Sequence, residues 1–328
     1  MIHAYCLRDG GLDRTPVETG GTIPADAVWI DLLRPTNGED QLVEQALGIA
    51  VPTREEMVEI EPSSRLRIEN GAAYMTGSIV CNSESERPTL GEVTFILIGG
   101  KLATVRYDES KPFSLIIAKL DRSCPADFTG EQLMLELLDT IIDRAADIIE
   151  RLAVEIDNVS RRVFEKDEAG GGAHGNSSQR YKVLLRMIGR KGDLGSKVRE
   201  SLVSMLRLVT FLGADADGHF SKDQRAALKS MQRDVSSLND HVSFLGNKVT
   251  FLLDATLGMV SIEQNNIIKI FAVLSVVLMP PTLIASIYGM NFTHMPELEV
   301  RWGYPAALLA MLIAAIVPYM IFKWKRWL

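Results

Sequence analysis

A short polar turn, YGMNFTHMPEL (residues 288–298), separates two long segments of the chain that carry no charge. Gly289–Asn291 stands near the start of this turn, Glu297 stands near its end, and Glu299 follows it before the second segment. The side chain of Asn291 presents a neutral carbonyl oxygen that accepts hydrogen bonds. Carboxylates such as those of Glu297 and Glu299 raise the local concentration of cations. What the turn does therefore depends on the two segments that position it.

Each of these two segments is long enough to cross a bilayer. Residues 270–288 and 303–322 are runs of 19 and 20 residues without a charge, and a spanning helix needs about 20 apolar residues. The alternative is a pair of buried core helices. Aromatic side chains typical of membrane interfaces flank both segments, namely Tyr288, Trp302, Tyr304, Tyr319, Trp324 and Trp327. We therefore predict two spans in a lipid bilayer.

Charge beside the segments predicts their orientation. Basic residues flank them on the side of the chain termini: Lys269, Lys323, Lys325 and Arg326. The positive-inside rule then places both termini in the cytoplasm, and no secretory signal is recognisable at the start of the chain. The scattered cysteines agree with a reducing compartment: Cys6, Cys81 and Cys124.

Composition and motifs argue against several classes of protein. A net charge of −7 disfavours a nucleic-acid partner, which needs a basic surface. We expect no enzyme and no organic cofactor, because no phosphate-binding glycine pattern, nucleophile elbow or paired acid and base stands out. The sequence contains no cluster of histidine and cysteine residues that would predict a zinc site. Asp215–Gly218 resembles half of a calcium loop, but the distal glutamate is missing and a plain turn is expected.

The first 128 residues carry mixed α/β signals. Ala27–Leu33 (AVWIDLL) predicts a strand, and a helical stretch follows near Glu39–Leu47. Asn70–Gly71 and Gly99–Gly100 stand between apolar runs and predict two-residue hairpin turns. We expect an α+β domain here.

Helices follow this domain. Thr129 and Gln132 form a capping box at the start of an amphipathic helix that we expect to end near Lys166. The glycine-rich Ala169–Ser178 predicts a flexible connector, and a second helix is expected over about Gln179–Leu212.

A single long helix is predicted over residues 222–288, about 100 Å at 1.5 Å per residue. Its cytosolic half carries an apolar heptad that predicts packing along one seam: Leu228, Met231, Val235, Leu238, Val242, Leu245, Val249, Leu252, Thr256 and Met259. The complete division is residues 1–128, a helical hairpin over 129–221, a stalk over 222–269, a first span over 270–288, a loop over 289–302, a second span over 303–322 and a basic tail over 323–328.

A second stripe on the same helix is polar or small and recurs every three or four residues. It passes from Ser236 and Asp254 through Asn265, Ile268, Ala272, Ser275, Met279, Thr282 and Ser286 towards Asn291. Small residues on a membrane helix also serve close helix packing. The stripe's continuity favours a water-filled path, which two spans of one chain cannot enclose. We therefore expect several copies around an axis, with the uniformly apolar second span facing lipid.

The residues around the turn resemble the signature of the CorA magnesium transporter family. That signature is Tyr288-Gly289-Met290-Asn291, then Met295–Leu298 (MPEL) and Gly303–Pro305 (GYP). The likeness to the enterobacterial-type branch extends to IEQNNIIKIF, PPTLIASIYGMNF, PYMIFKWKRWL, AVWIDLLRP and TREEMVEIE. It therefore covers nearly the whole chain.

The resemblance implies a funnel-shaped homopentameric channel in the bacterial inner membrane, whose first span lines the pore. It implies that Gly289, Met290 and Asn291 recognise hydrated magnesium and that Lys323, Lys325 and Arg326 form a basic ring. It also implies closure by cytosolic magnesium. Asp254 matches a stalk aspartate of some members, whereas Ser230 stands where other branches carry an acid.

The residues suit a hydrated ion, since magnesium gives up its water reluctantly. Neutral Asn291 carbonyls accept hydrogen bonds from that water, and Met279 forms an apolar constriction. We expect passive, potential-driven magnesium transport, with cobalt and nickel as further cargo. Two alternatives remain: a zinc or other divalent-cation transporter of the same superfamily, and a two-span sensor that relays a signal to a cytosolic partner.

Overall fold

A computed structural model describes most of the chain. The described residues are 1–8, 11–18, 20–59, 61–122, 125, 128–165, 177–214, 220–291, 296 and 301–325. They form two compact units, one of residues 1–171 with 182–253 and one of residues 172–181 with 254–328. The predicted turn at Asp215–Gly218 and nearly all of the predicted connector at Ala169–Ser178 lie outside the described residues.

A seven-stranded sheet forms the centre of the first unit. Its strands are β1 (Ile2–Arg8), β2 (Gly11–Val17), β3 (Ala27–Leu33), β4 (Leu66–Glu69), β5 (Ala72–Cys81), β6 (Thr89–Ile98) and β7 (Lys101–Arg106). Their order is β2-β1-β3-β7-β6-β5-β4. β3 pairs with β7 in parallel, and the other neighbouring strands are antiparallel. The predicted strand at Ala27–Leu33 is confirmed with the same bounds.

Both predicted hairpins are confirmed. Asn70 and Gly71 have φ values of 51° and 78° between β4 and β5, and Gly99 and Gly100 have φ values of 54° and 75° between β6 and β7. Two successive left-handed residues match the right-handed twist of the flanking strands, which is why asparagine and glycine are favoured there.

The helices are α1 (Asn37–Leu47), α2 (Arg54–Val58), α3 (Pro62–Arg65), α4 (Lys111–Leu120), α5 (Gly130–Phe164), α6 (Ser177–Gly213), α7 (Lys222–Tyr288) and α8 (Gly303–Trp324). The capping box of α5 forms as predicted, because Thr129 accepts from the Gln132 amide and the Gln132 side chain accepts from Thr129. The bounds of α7 match the prediction. α8 runs past the expected Phe322 and takes Lys323 into its last turn.

A buried ion pair joins the parallel strands β3 and β7. Arg106 donates to both carboxylate oxygens of Asp31, at 3.0 and 2.7 Å, and Thr104 donates to the same carboxylate at 2.7 Å. The Trp29 indole in turn donates to the Thr104 hydroxyl at 2.9 Å. Asp31 is 1% exposed and Arg106 is 6% exposed. Because water cannot reach them, the network supplies their hydrogen-bond partners.

The N-terminal half of α7 packs along the predicted seam. Residues of the heptad are buried, among them Val235, Val242 and Leu252. Phe251 lies against Phe164 of α5, with ring centroids 6.1 Å apart. This packing confirms that one apolar stripe of α7 faces other helices of the first unit.

The two described cysteines, Cys6 and Cys81, are buried free thiols, as expected. Burial is the main cause that raises the pKa of the Cys81 thiol, to about 11. This thiol is therefore protonated and inert at neutral pH. Cys124 lies outside the described residues.

The buried ion pair generates a stability prediction. The variant Asp31→Ala leaves the Arg106 guanidinium buried without its carboxylate. We expect the free energy of unfolding to fall by about 3–5 kcal/mol, measured on the full chain in detergent by denaturant or thermal unfolding.

Asp13→Ala is the matched control for Asp31→Ala. Asp13 pairs with Arg8 at 3.4 Å, and both side chains are about half exposed or more. Such a surface pair contributes about 1 kcal/mol or less. Equal losses in the two variants would show that the β3–β7 network is not the critical interaction.

Candidate functional site

The predicted Gly-Met-Asn turn begins where α7 ends. Gly289 donates its amide to the Ala285 carbonyl at 2.9 Å, and Met290 donates to the Ile287 carbonyl at 3.3 Å. A β-carbon on Gly289 would lie 3.1 Å from the Ala285 carbonyl oxygen, so a larger residue requires a shift of a few tenths of an ångström there. Asn291 follows directly and is exposed.

The polar stripe of the first span is uncovered in the second unit. Ile268 and Met279 are 63% and 66% exposed. The other predicted pore-lining residues are exposed as well, namely Asn265, Ala272, Ser275, Thr282 and Ser286. Their steps of three or four place all seven on one side of the helix.

The opposite side of α7 faces α8. Partly covered residues on this side are Val273, Val277, Pro280, Pro281 and Ile284. Since a helix turns about 100° per residue, this row lies roughly opposite the stripe. The chain's own second span therefore leaves the polar stripe free.

Two hydroxyl groups on the stripe donate hydrogen bonds to backbone carbonyls of the same helix. Ser275 donates to the Phe271 carbonyl at 2.8 Å. Thr282 donates to the carbonyls of Leu278 and Met279, at 3.1 and 2.8 Å. The hydroxyl oxygens keep lone pairs that can accept hydrogen bonds from water. At Ser275 and Thr282, a bilayer-length segment thus carries hydroxyl groups whose protons already have partners.

Asp254 lies on the exposed side of α7, between Leu252 and Thr256, which are 1% and 0% exposed. Its carboxylate therefore points away from the packed seam. In the part of the chain that the structure describes, no three or more histidine, cysteine, aspartate or glutamate side chains are arranged to hold a metal ion.

The remaining predicted site residues lie at the ends of the spans. Lys323 is in the last turn of α8, and Lys325 is its C-cap. Two residues apart on a helix, they point to nearly opposite sides. Glu297, Glu299 and Arg326 lie outside the described residues.

One feature of the second unit was not predicted from the sequence. A cavity of about 510 Å³ between α7 and α8 is lined by Pro280, Ala310, Ile313, Ala314, Val317 and Pro318. The available signal was the four-residue spacing of Ala310, Ala314 and Pro318, which places small side chains and a proline on one face.

The two units together define a class of protein. The first is an α+β unit with packed helices, and the second carries two helices that are long and apolar enough to cross a membrane. With the exposed polar stripe on one of those helices, this is the architecture of a two-span membrane transport protein.

Comparison with known proteins identifies the family. Residues 24–326 match the family described as CorA-like Mg²⁺ transporter protein, and the chain belongs to this family. It is 35% identical to the magnesium transport protein CorA of Salmonella typhimurium and of Escherichia coli K12, over 328 residues that cover 100% of both chains in each comparison. This confirms the predicted resemblance, and the family is one of transporters.

A solved structure supports the fold. The complete structure of the CorA magnesium transporter from Methanocaldococcus jannaschii superposes with a TM-score of 0.75, at 18% identity, covering 100% of this chain and 99% of that one. The predicted CorA-like fold class is therefore confirmed. The number of subunits stays a prediction.

The exposed stripe generates an accessibility prediction. In the variant Ser275→Cys, the new thiol faces the proposed water path, so a charged, membrane-impermeant thiol reagent is expected to label it in vesicles free of divalent cations. Val277→Cys is the matched control, because Val277 lies on the α8 side of the same helix. Labelling is measured relative to the unsubstituted chain. Equal labelling at the two positions would contradict a water path along the stripe.

Proposed function

We propose that this chain conducts Mg²⁺ passively across the bacterial inner membrane, as a homopentamer whose α7 helices surround the pore. The observation that carries the proposal is the exposed stripe of α7, which the chain's own α8 leaves uncovered. Membership in the CorA-like Mg²⁺ transporter family supports magnesium as the cargo.

Several copies are needed because one stripe cannot enclose a path. Copies arranged around an axis bring their stripes together and leave the apolar α8 helices facing lipid. The number five and the inner-membrane location rest on the family resemblance. Lys269 and Lys323 at the terminal sides of the spans support cytoplasmic termini.

The outer mouth is formed by Gly289, Met290 and Asn291 in this proposal. Mg²⁺ dehydrates reluctantly and usually keeps several waters. Asn291 side chains from the copies accept hydrogen bonds from those waters without replacing them. Glu297 and Glu299 form an acidic rim that concentrates cations.

Flow through the pore follows the membrane potential. An inside-negative potential favours inward movement of two charges by about 4.6 kcal/mol per 100 mV. Met279 and Ile268 are the large apolar side chains on the stripe and form constrictions that close by losing water. Lys323, Lys325 and Arg326 are proposed as the basic ring at the cytosolic end.

Closure is proposed to follow cytosolic Mg²⁺. Asp254 is exposed on the face of α7 opposite the packed seam, where it is free to meet carboxylates of a neighbouring copy. Bound Mg²⁺ offsets the repulsion between such carboxylates and stabilises the closed assembly. When the cytosolic Mg²⁺ concentration falls, the bound Mg²⁺ dissociates and the closed assembly opens.

The mouth is tested by flux through the variant Asn291→Ala. We expect Mg²⁺ uptake into liposomes, driven by an inside-negative potassium diffusion potential, to fall by about tenfold or more. Hydrogen bonds to charged groups contribute about 1.5–3 kcal/mol each, and this variant removes them from every copy.

Asn266→Ala is the control for Asn291→Ala, because Asn266 is an exposed asparagine of α7 outside the stripe. It is expected to conduct like the unsubstituted chain. Normal Mg²⁺ flux through Asn291→Ala would overturn the assignment of the mouth. Parallel assays with Zn²⁺, Co²⁺ and Ni²⁺ decide the cargo, and absence of any divalent flux would favour the sensor alternative.

Closure is tested by the variant Asp254→Ala. Loss of this carboxylate is expected to raise the internal Mg²⁺ concentration that halves the flux, by about tenfold if one charge-assisted contact per copy is lost. The control is Asp223→Ala, which removes a carboxylate from the first turn of α7. An unchanged inhibition curve would remove Asp254 from the sensor.

A further inference from the structure

The cavity between α7 and α8 is an apolar groove at membrane depth. Its lining is Pro280, Ala310, Ile313, Ala314, Val317 and Pro318, and its volume is about 510 Å³. Ile313 and Val317 are 51% and 48% exposed, so the groove opens to the surroundings of the two helices.

A lysine stands at the same end of the groove on each helix. On α8, Ala314, Pro318, Ile321 and Lys325 follow one another at steps of three or four, which places them on one face. Lys325 therefore continues the groove, whereas Lys323 points to nearly the opposite side.

The matching row on α7 is Pro280, Val277, Val273 and Lys269, again at steps of three or four. Lys269 stands eleven positions before Pro280, and Lys325 stands eleven positions after Ala314. Each lysine is thus about 16 Å along its helix from the groove. The two ammonium groups belong at the same depth.

Interfacial side chains mark that depth as the headgroup region. Trp324 precedes Lys325 and is 83% exposed, and tryptophan is enriched where membrane meets water. Within the described part of the chain, neither Lys269 nor Lys325 forms an ion pair. Two like charges beside one apolar groove repel each other unless an anion lies between them.

We propose that an anionic phospholipid of the cytosolic leaflet binds between α7 and α8. Its phosphate group pairs with Lys269 and Lys325, and one acyl chain fills the groove from Pro318 towards Ala310. This site is independent of which ion the chain transports.

A lipid satisfies both halves of this surface. Its acyl chain supplies the apolar contact, and its phosphate supplies the charge that the lysines lack. A helix from a second copy could fill an apolar groove as well, but an apolar segment leaves both lysines without an anion. Charge complementarity therefore favours the phospholipid.

The headgroup is tested by native mass spectrometry of the full chain, released from vesicles that contain equal amounts of phosphatidylglycerol and phosphatidylcholine. Phosphatidylglycerol is expected to be retained preferentially. Each of Lys269→Gln and Lys325→Gln should weaken its binding about fivefold, the effect of one lysine near an anionic surface, while Lys323→Gln should leave retention unchanged. Equal retention of the two lipids, or no effect of the lysine variants, would overturn the proposal.

The groove is tested by filling it. Ala314→Phe should reduce bound phosphatidylglycerol, whereas Leu312→Phe, on the far side of α8, should not. Ala314→Leu serves if the larger variant does not fold, as judged by its unfolding temperature. If lipid retention stays unchanged in a folded groove variant, the acyl chain lies elsewhere. Efficient disulfide cross-linking of copies through Ala314→Cys would identify a second copy as the occupant and refute the lipid site.

Discussion

Polar groups in a bilayer need partners, because the hydrocarbon region offers no water to replace them. This constraint explains the form of α7 in the second unit. Ser275 and Thr282 donate their hydroxyl protons to carbonyls one turn earlier, so these two positions present oxygen atoms whose donors are already paired. Such a surface tolerates lipid during insertion and can accept water in the proposed assembly of several copies. A carboxylate or an ammonium group at these positions would lack the first property.

The same helix meets a different constraint in the first unit. There, water is available, and burial of apolar surface determines the packing. Val235 and Val242 are 0% and 2% exposed, while Asp254 remains outside the seam. One continuous helix therefore keeps an apolar face for intramolecular packing along its N-terminal part and a polar or small face elsewhere. Residue spacing is the only information that this arrangement requires.

Spacing also explains which features the sequence could predict. The hairpin turns followed from residues that tolerate positive φ, such as Asn70 and Gly71, and the long helix followed from its uninterrupted periodicity. Pairing between distant segments did not follow. β3 and β7 are joined through Asp31 and Arg106, which are 75 residues apart, and no local pattern announces such a contact.

Part of the candidate site was equally hidden. The exposure of the α7 stripe followed from its residue spacing, whereas its role in lining a pore stays a prediction. The groove was not predictable, since Ala314 and Pro318 are apolar residues among apolar residues. Only the relative placement of α7 and α8 turns their small size into a cavity. The alignment of Lys325 with that cavity likewise needs the helix to continue beyond Phe322, where the charge-free segment ends.

An asparagine at the proposed mouth is explained by throughput. Each additional 1.4 kcal/mol or so by which a site stabilises its ion slows departure about tenfold. A ring of carboxylates in direct contact with Mg²⁺ holds the ion with far more than the roughly 4.6 kcal/mol that 100 mV supplies, so the ion stays. In the proposed pore, neutral carbonyls of Asn291 bind the water around the ion instead. The ion is then recognised by its tightly held hydration shell and is still released by an ordinary membrane potential.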